Sequence, residues 1–251
     1  MILTTAQYKL DKSTGHGYKT VGLNLSPADE MSRVLGISGP TMCPLAGACA
    51  AGCLAKTGMN VFPASVKARA ERTRQYVQNP NQFIGRVLIE LDREYAKAAR
   101  GGMGFAMRPN LLSDQRKLAV HLTKARPHIQ FYDYTKLPRP VSKAWCQPHN
   151  YHLTYSVSER TTPATLANYL AMGVNPAIVF DTPRGGTLPS HYTVLGQKMP
   201  VIDGDTHDLR FLDPVGVVVG LRWKGSKARL ADALKGGFAF TAAGCLPGRL
   251  G

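Results

Sequence analysis

Eight short apolar segments recur along the chain, and segments with helical periodicity separate many of them. They are rich in β-branched and aromatic residues and end at turn residues, which indicates strands. We expect strands at residues 20–25, 104–109, 128–134, 151–156, 176–181, 199–203, 216–223 and 237–242. Several are continuously apolar, as in a parallel sheet that is covered on both faces. This alternation of strands and helices restricts the chain to the α/β class.

Helical patterns occupy many of the intervals between these strands. They cover residues 26–36, 79–99, 113–125, 161–173 and 226–235. Ser26 stands where an N-cap would stabilise the first helix. In the second, Phe83, Val87 and Leu91 follow at four-residue steps and form an apolar stripe along one face.

The length of 251 residues agrees with a (β/α)8 barrel, which typically has about 250. Residues 204–214 are too few for a full helix, and the first nineteen residues form no unit of the repeat. We therefore expect one α/β domain over residues 1–251, a TIM-like (β/α) barrel that is distorted or partly open. The alternative is a doubly wound open sheet, although no G-x-G-x-x-G motif follows the first strand.

Three of the five cysteines lie within eleven residues, in a loop at about 41–58. Cys43, Cys49 and Cys53 have the spacing C-x5-C-x3-C and follow the first expected strand and a helical pattern. If residues 45–54 are helical, Cys49 and Cys53 lie on one face, and Cys43 folds over from the preceding loop. Cysteines this close indicate a metal or catalysis rather than disulfides. Cys146 and Cys245 stand alone, and we interpret both as small buried residues.

Three thiolates suit several sites. A 4Fe–4S cluster held by Cys43, Cys49 and Cys53 would leave one iron open to a substrate or cofactor. A structural zinc site normally has a fourth protein ligand, and the loop offers none. A cysteine-containing helix without metal is the third alternative. The iron–sulfur site is the interpretation we favour.

Titratable residues crowd the segment IDGDTHD at the end of the sixth expected strand. Asp203, Asp205 and His207 are our candidate catalytic residues, because active sites of α/β proteins lie beyond the carboxyl ends of the strands. The alternatives are a second metal site and simple turn chemistry, since Asp-Gly-Asp forms tight turns.

Further polar residues end other strands, and we expect them to bind a ligand beside the cluster. The basic pair after the seventh strand suits an anionic group. Period-two spacing places the polar residues of the fourth strand on one side, where they either bond one another or hold a ligand. The candidates are Asn24, Asp133, Tyr134, Lys136, His152, Thr154, Ser156, Arg222 and Lys224.

The charge of the chain is strongly positive, with 31 Lys+Arg against 16 Asp+Glu and a net charge of +15. Such an excess attracts polyanions, so nucleic acid is a candidate partner. The run VKARAERTR at 66–74 is either a nucleic-acid contact or a solvated helical face. The N-terminus lacks the pattern of a signal peptide, and no apolar segment is long enough to span a membrane. These features predict a cytoplasmic protein without a membrane partner.

The cysteine loop, QFYDYTKLPRP (130–140), NYHLTYSVSE (150–159) and IDGDTHDLRFLDPVGVVVGLRWKG (202–225) together resemble a widespread family of phage-encoded proteins of unassigned function. The resemblance runs over about residues 20–242. It implies an iron–sulfur cluster on a TIM-like barrel, and a host cytoplasm as the location.

The loop is also similar to that of radical S-adenosylmethionine (SAM) enzymes, which implies SAM as a second cofactor. Those enzymes usually have C-x3-C-x2-C, and this chain departs from that spacing. Trp223 stands where their glycine-rich strand has a glutamate. The sequence thus predicts a 4Fe–4S protein acting in redox or radical-type chemistry on a small molecule, as an oxidoreductase, a lyase or a radical-SAM-like enzyme. The alternative is a basic nucleic-acid-associated protein with a structural iron–sulfur or zinc site.

Overall fold

Ten strands form one sheet in the computed structural model, which describes residues 1–5, 10, 12–50, 52–138, 148–244 and 246. The strands are β1 (Leu3–Thr4), β2 (Tyr18–Leu23), β3 (Gly104–Arg108), β4 (Gln130–Thr135), β5 (Tyr151–Ser156), β6 (Pro176–Phe180), β7 (His191–Val194), β8 (Gln197–Asp203), β9 (Val218–Arg222) and β10 (Ala239–Phe240). All eight predicted strands are present. The two that the sequence reasoning missed, β1 and β7, are antiparallel to their neighbours.

The strand order is β1-β2-β3-β4-β5-β6-β9-β8-β7, and every pair from β2 to β8 is parallel. Because β9 lies between β6 and β8, the order departs from the sequential order of a (β/α)8 barrel. Among the described residues no pairing joins the two ends of the sheet. The α/β class is confirmed, whereas the TIM-like barrel that we expected, distorted or partly open, is not: the described strands form an open sheet.

The sheet divides at the carboxyl end of β6. One edge of β6 pairs with β9 along residues 177–180. The other edge pairs with β5 at residues 176–177 and with β10 at residues 179–180. Thus β5 pairs through its last two residues with the first two residues of β6, and β10 takes the place beside the carboxyl half of β6.

Six α-helices accompany the sheet in the described part of the chain: α1 (Glu30–Leu35), α2 (Pro63–Gln78), α3 (Pro80–Arg100), α4 (Arg116–Ala125), α5 (Pro163–Ala171) and α6 (Lys227–Lys235). The five predicted helices are present, but α1 is shorter than expected. Ser26 does not cap it: Ser26 is buried, and its backbone N–H donates to the Thr73 hydroxyl at 2.8 Å. No helix among the described residues is long and apolar enough to cross a membrane.

The two faces of the sheet differ in character. One face packs against α3, α4 and α5 through a buried apolar cluster that includes Val87, Leu122 and Tyr169. The pairing of β4 with β5 places Tyr132 beside His152, and Tyr134 beside Thr154, on the opposite face. The segment after β8 crosses that polar face as a 3-10 turn, Arg210–Leu212, which lies against β4 and β5.

Candidate functional site

The three clustered cysteines line one cavity of about 190 Å³ at the carboxyl ends of the parallel strands. The segment that carries them is not the helix predicted for residues 45–54. It forms two 3-10 turns, Ala48–Ala50 and Leu54–Lys56. Cys43 thus reaches the cavity from an irregular loop, Cys49 from within the first turn, and Cys53 from the position before the second turn. Cys146 and Cys245, interpreted above as lone buried cysteines, lie outside the described residues.

The ends of neighbouring strands hold the cysteine loop in place. The Asp114 amide donates to the Met42 carbonyl at 2.8 Å, and the Cys43 thiol donates to Leu112 O at 3.2 Å. On the other side, the Ala48 amide donates to a Glu159 carboxylate oxygen at 2.8 Å. Gly47 beside it has φ +23°, a conformation that favours glycine, and a Cβ there would meet that oxygen at 1.7 Å and displace the Glu159 carboxylate.

The surroundings of Cys43 and Cys49 favour the protonated form of both thiols in the protein alone. Burial raises the pKa of Cys43 to about 12, and the charges of Cys53 and Cys49 add to this effect. Burial also raises the pKa of Cys49, while Lys136 opposes it. Cys43 and Cys49 therefore donate to backbone carbonyls, Cys49 to Ala46 O at 2.7 Å. Loss of their protons would end these bonds and free the sulfurs for a cation.

Five of the nine predicted ligand-binding residues line the cysteine cavity: Tyr134, Lys136, Ser156, Arg222 and Lys224. The Tyr134 hydroxyl is buried and has no hydrogen-bond partner among the described residues. Lys136 Nζ lies 5.6 Å from the centre of the Phe238 ring. A phenol and three cations beside three thiols suit a small anionic ligand.

The other four predicted ligand-binding residues lie away from this cavity. Asp133 is buried and accepts from Asn110 Nδ2 at 2.7 Å and from the Tyr151 hydroxyl at 3.1 Å. His152 and Thr154 are on the polar face, and His152 Nε2 and Thr154 Oγ1 are buried without a partner in the described part of the chain. Asn24 lines a neighbouring, larger cleft.

Asp203 and Asp205 hold the basic pair that follows β9. Arg222 Nη1 lies 2.8 Å from Asp203 Oδ1 and 3.2 Å from Asp205 Oδ2, and Lys224 Nζ lies 2.6 Å from Asp205 Oδ1. The hydrogen bond from Arg222 lowers the pKa of Asp203. Burial raises the pKa of Asp205, but Lys224 and Arg222 outweigh it and lower the pKa overall.

The same segment also shows the turn chemistry that was the alternative interpretation. The Asp205 amide donates to Asp203 Oδ1 at 2.9 Å, and the Thr206 hydroxyl donates to the Asp203 carbonyl at 2.8 Å. Both carboxylates are therefore engaged as ionised groups. As placed, they orient Arg222 and Lys224 rather than present a proton.

The lone pair of His207 is also occupied. Its Nδ1 accepts from the Leu209 amide at 3.2 Å and faces Arg210 Nη2 at the same distance. Burial and Arg210 lower its pKa, so the ring is neutral near pH 7 with its proton on Nε2. His207 lines the neighbouring cleft together with Asp203 and Asp205. The predicted convergence on the cysteines thus holds for Tyr134 and Ser156 but not for His207.

The donor chemistry of the cavity fits an iron–sulfur cluster. Among the described residues, no three His, Cys, Asp or Glu side chains are arranged as a ready metal site. Cys43, Cys49 and Cys53 are nevertheless free of disulfides and line the same space. Thiolates are the ligands of such clusters. The fit depends on this donor set, and it requires the thiols to leave their carbonyl partners.

Sequence reasoning missed several residues around the cavity, of which Arg108 is the most important. Arg108 is buried, pairs with Asp208 at 2.7 Å and lies 4.7 Å from the centre of the Tyr134 ring. It ends β3, so the strand-end rule that selected Tyr134 would also have found it. Trp223 and Phe238 are apolar lining residues. Trp223 ends the expected strand 216–223, but only polar residues at strand ends were selected as candidates.

The basic run at 66–74 forms neither a uniform nucleic-acid contact nor a uniformly solvated helical face. Arg69 is fully buried and forms two hydrogen bonds to Glu30, at 2.6 and 2.9 Å. Arg74 pairs with Glu71 on the same helix. Arg72 lines the larger cleft. This part of α2 is therefore not a continuous basic face for nucleic acid.

Asp133 predicts a specific dependence of stability on pH. Burial raises its pKa to about 7, against about 3.9 in an unfolded chain. Between these values the folded protein holds a proton that the unfolded chain has released, so stability falls as pH rises from about 4 to about 7. Replacement by asparagine should remove this slope, which is at most about 1.4 kcal/mol per pH unit.

Urea unfolding of wild type and Asp133→Asn at pH 5, 6, 7 and 8 measures this effect. The stability difference between the two proteins should change up to pH 7 and then level off. Exposed Asp232 provides the control, because Asp232→Asn should give a curve parallel to that of the wild type. Parallel curves for Asp133→Asn as well would show that Asp133 does not titrate in this range.

Comparison with known proteins identifies a family. A family model described as gene product 88 matches residues 2–240, and the chain belongs to this family. This agrees with the resemblance to phage-encoded proteins noted from the sequence. No curated protein matches the chain, and no solved structure does.

Proposed function

We propose that this member of the gene product 88 family binds a 4Fe–4S cluster through Cys43, Cys49 and Cys53 and acts on a small anionic molecule at the iron that no cysteine holds. The observation that carries the proposal is the shared cavity, in which three free thiols meet Lys136, Arg222 and Lys224. Phage origin and a host-cell cytoplasm agree with the family but belong to the proposal.

The cations of the cavity give the substrate its class. Arg222 and Lys224 are fixed by the two carboxylates behind them, so their charges are oriented before a ligand arrives. The backbone of Lys136 is fixed at the end of β4, because its N–H donates to an Asp114 carboxylate oxygen at 2.8 Å. A carboxylate or phosphate group would meet Lys136 at this end of the cavity, together with Arg222 and Lys224, whose charges Asp203 and Asp205 partly compensate.

The remaining lining side chains bind and shield the ligand. The Tyr134 hydroxyl, which has no partner in the described residues, offers one hydrogen bond. Trp223 is buried and packs so closely over Gly52 that a Cβ there would meet its ring at 2.6 Å. Trp223 and Phe238 thus exclude water from the apolar side of the cavity. A bound cluster would supply one-electron transfer and a Lewis-acidic iron.

Two alternatives for the cysteines stay open. A zinc ion would need a fourth ligand, and among the described residues no histidine lines the cysteine cavity. Without any metal, the raised pKa values of Cys43 and Cys49 would keep these two thiols protonated near pH 7 and chemically quiet. The metal content of the purified protein separates these three cases.

A nucleic-acid-associated protein is the second candidate function. The net charge of +15 favours it. Basic side chains also line the large cleft beside the cysteines, among them Lys12, Arg184 and Lys227. The buried and paired arginines of α2 weigh against a contact at residues 66–74.

The open iron predicts a response to small ligands. Electron paramagnetic resonance (EPR) spectra of the reduced, reconstituted protein should change on addition of at least one member of a panel of thiols, amino acids and SAM. The Lys224→Gln variant should keep its iron but need about ten times more of an anionic ligand, because it loses a charge-assisted contact. Lys235→Gln, at the exposed end of α6, should respond as the wild type does.

Two results would contradict this part of the proposal. An unchanged spectrum across the whole panel would mean that the open iron is not a substrate site. Equal responses of the Lys224→Gln and Lys235→Gln variants would mean that Lys224 does not contact the ligand.

A further inference from the structure

A second, larger cleft adjoins the cysteine cavity. Its volume is about 1800 Å³, beyond the range of roughly 300–1,000 Å³ that is usual for small-molecule sites. Arg108, Arg222 and Lys224 line both spaces, so the two are adjacent. The cleft therefore has room for a ligand larger than an amino acid.

The charge of the cleft is positive. Three of its four carboxylates are already in ion pairs: Asp203 and Asp205 with Arg222 and Lys224, and Asp208 with Arg108. Three more of its cations, Arg72, Arg184 and Lys227, have no ion pair among the described residues. Once these ion pairs are counted, the remaining charge of the cleft is positive. The cleft therefore favours a ligand with negative charge.

Arg72 is the most informative of these cations. It is partly buried, its one hydrogen bond in the described residues is a long contact of 3.5 Å from Nη1 to the Asn24 carbonyl, and buried Arg69 lies close enough to act on its charge. Asn24 lines the same cleft, and its Oδ1 is buried without a partner among the described residues. Glu90 also acts on the charge of Arg72 but forms no ion pair with it in the described part of the chain. A guanidinium partly removed from water without such a pair is costly, and an anion in the cleft would offset that cost.

We propose that this cleft binds a phosphate-bearing small molecule of about nucleotide size, with Arg72 as its main phosphate ligand. The planar guanidinium donates two parallel hydrogen bonds that match a phosphate. Arg184 and Lys227 are exposed and attract the anion at the entrance. Arg222 and Lys224 receive the other end of the molecule beside the cysteines. This site goes beyond the proposed function and does not depend on a cluster.

Calorimetric titration of the full-length protein with ATP and with pyrophosphate tests the proposal. The Arg72→Gln variant should bind both at least about ten-fold more weakly, since it loses a charge-assisted contact. The Arg74→Gln variant is the matched control. Arg74 lies on the same helix two residues away, pairs with Glu71 and does not line the cleft, so its affinity should stay within about two-fold of the wild type.

A second pair of substitutions covers the case in which Arg72→Gln impairs folding. Arg184→Gln combined with Lys227→Gln changes only exposed side chains and should weaken binding about three- to ten-fold, because screened surface charges contribute little each. Absence of binding at millimolar ATP and pyrophosphate would overturn the proposal. Unchanged affinity of both Arg72→Gln and the double variant would do the same.

Two further measurements distinguish a small phosphate ligand from nucleic acid, and this inference from the proposed cluster. A single-stranded oligonucleotide that binds more tightly than ATP, and equally well to Arg72→Gln, would assign the positive charge to nucleic acid and overturn the small-ligand site. Iron and sulfide are assayed in the same samples. Iron-loaded protein that does not bind ATP or pyrophosphate contradicts only this inference, and iron-free protein that does bind contradicts only the cluster.

Discussion

Serine in place of Cys43, Cys49 or Cys53 should abolish iron and sulfide binding, whereas serine in place of Cys146 or Cys245 should leave both at the wild-type level. With two thiolates left, the cluster would have half of its iron atoms without a protein ligand. Iron and sulfide assays after anaerobic reconstitution measure the effect. The two remote cysteines are the controls, since the sequence separates them from the cluster loop.

The test compares the iron content of the five variants. Equal iron content in all five would contradict the prediction, and so would a remote cysteine that proves as necessary as Cys49. Circular dichroism of each variant before reconstitution distinguishes loss of a ligand from loss of the fold. The cysteine segment is an irregular loop, so serine there should leave the helical signal unchanged.

The largest effect on stability is expected at Arg69. Its guanidinium is fully buried, donates twice to Glu30 and once to the Asn60 carbonyl at 2.9 Å, and ties α1 and α2 to the segment after the cysteines. Arg69→Met leaves the buried Glu30 carboxylate alone. Breaking a buried pair in this way should lower the free energy of unfolding by about 3–5 kcal/mol.

Urea denaturation compares this variant with Arg74→Met on the same helix. Arg74 lies near the surface and pairs with Glu71 one turn away, so its loss should change stability little. The double variant Glu30→Leu, Arg69→Met removes both charges and should recover much of the loss. Equal stabilities of Arg69→Met and Arg74→Met would show that the pair is not desolvated.

Sequence reasoning found the strands because short runs of β-branched and aromatic residues, bounded by turn residues, recur along the chain. Hydrophobic periodicity is local, and it fixed β5 at residues 151–156 without error. Hydrophobic periodicity carries no information on which strands lie next to each other in the sheet. The insertion of β9 between β6 and β8, and of β10 beside β6, depends on packing between distant segments. This is why an ordered series of eight strands predicted a barrel and the chain forms an open sheet.

The site was predictable where it depends on strand ends. Because parallel strands end at one edge, the rule brought Tyr134, Lys136 and Ser156 to the cysteines. The rule could not assign partners. Composition does not reveal that Arg222 and Lys224 would occupy the carboxylates of Asp203 and Asp205, and those carboxylates were therefore taken for acid–base groups.

The basic run of α2 shows the same limit for charge. A count of residues treats Arg69, Arg72 and Arg74 alike. Helix geometry turns the first into the protein against Glu30, the second towards the cleft and the third towards Glu71. Burial separates their roles, and burial is set by tertiary contacts that the local sequence does not encode.

The central claim is that three cysteines hold a 4Fe–4S cluster, and its most direct test is the iron and sulfide content of the anaerobically reconstituted wild-type protein. We expect a brown protein with about four iron and four sulfide per chain. A colourless protein that carries one tightly bound zinc, or no metal at all, would contradict the claim.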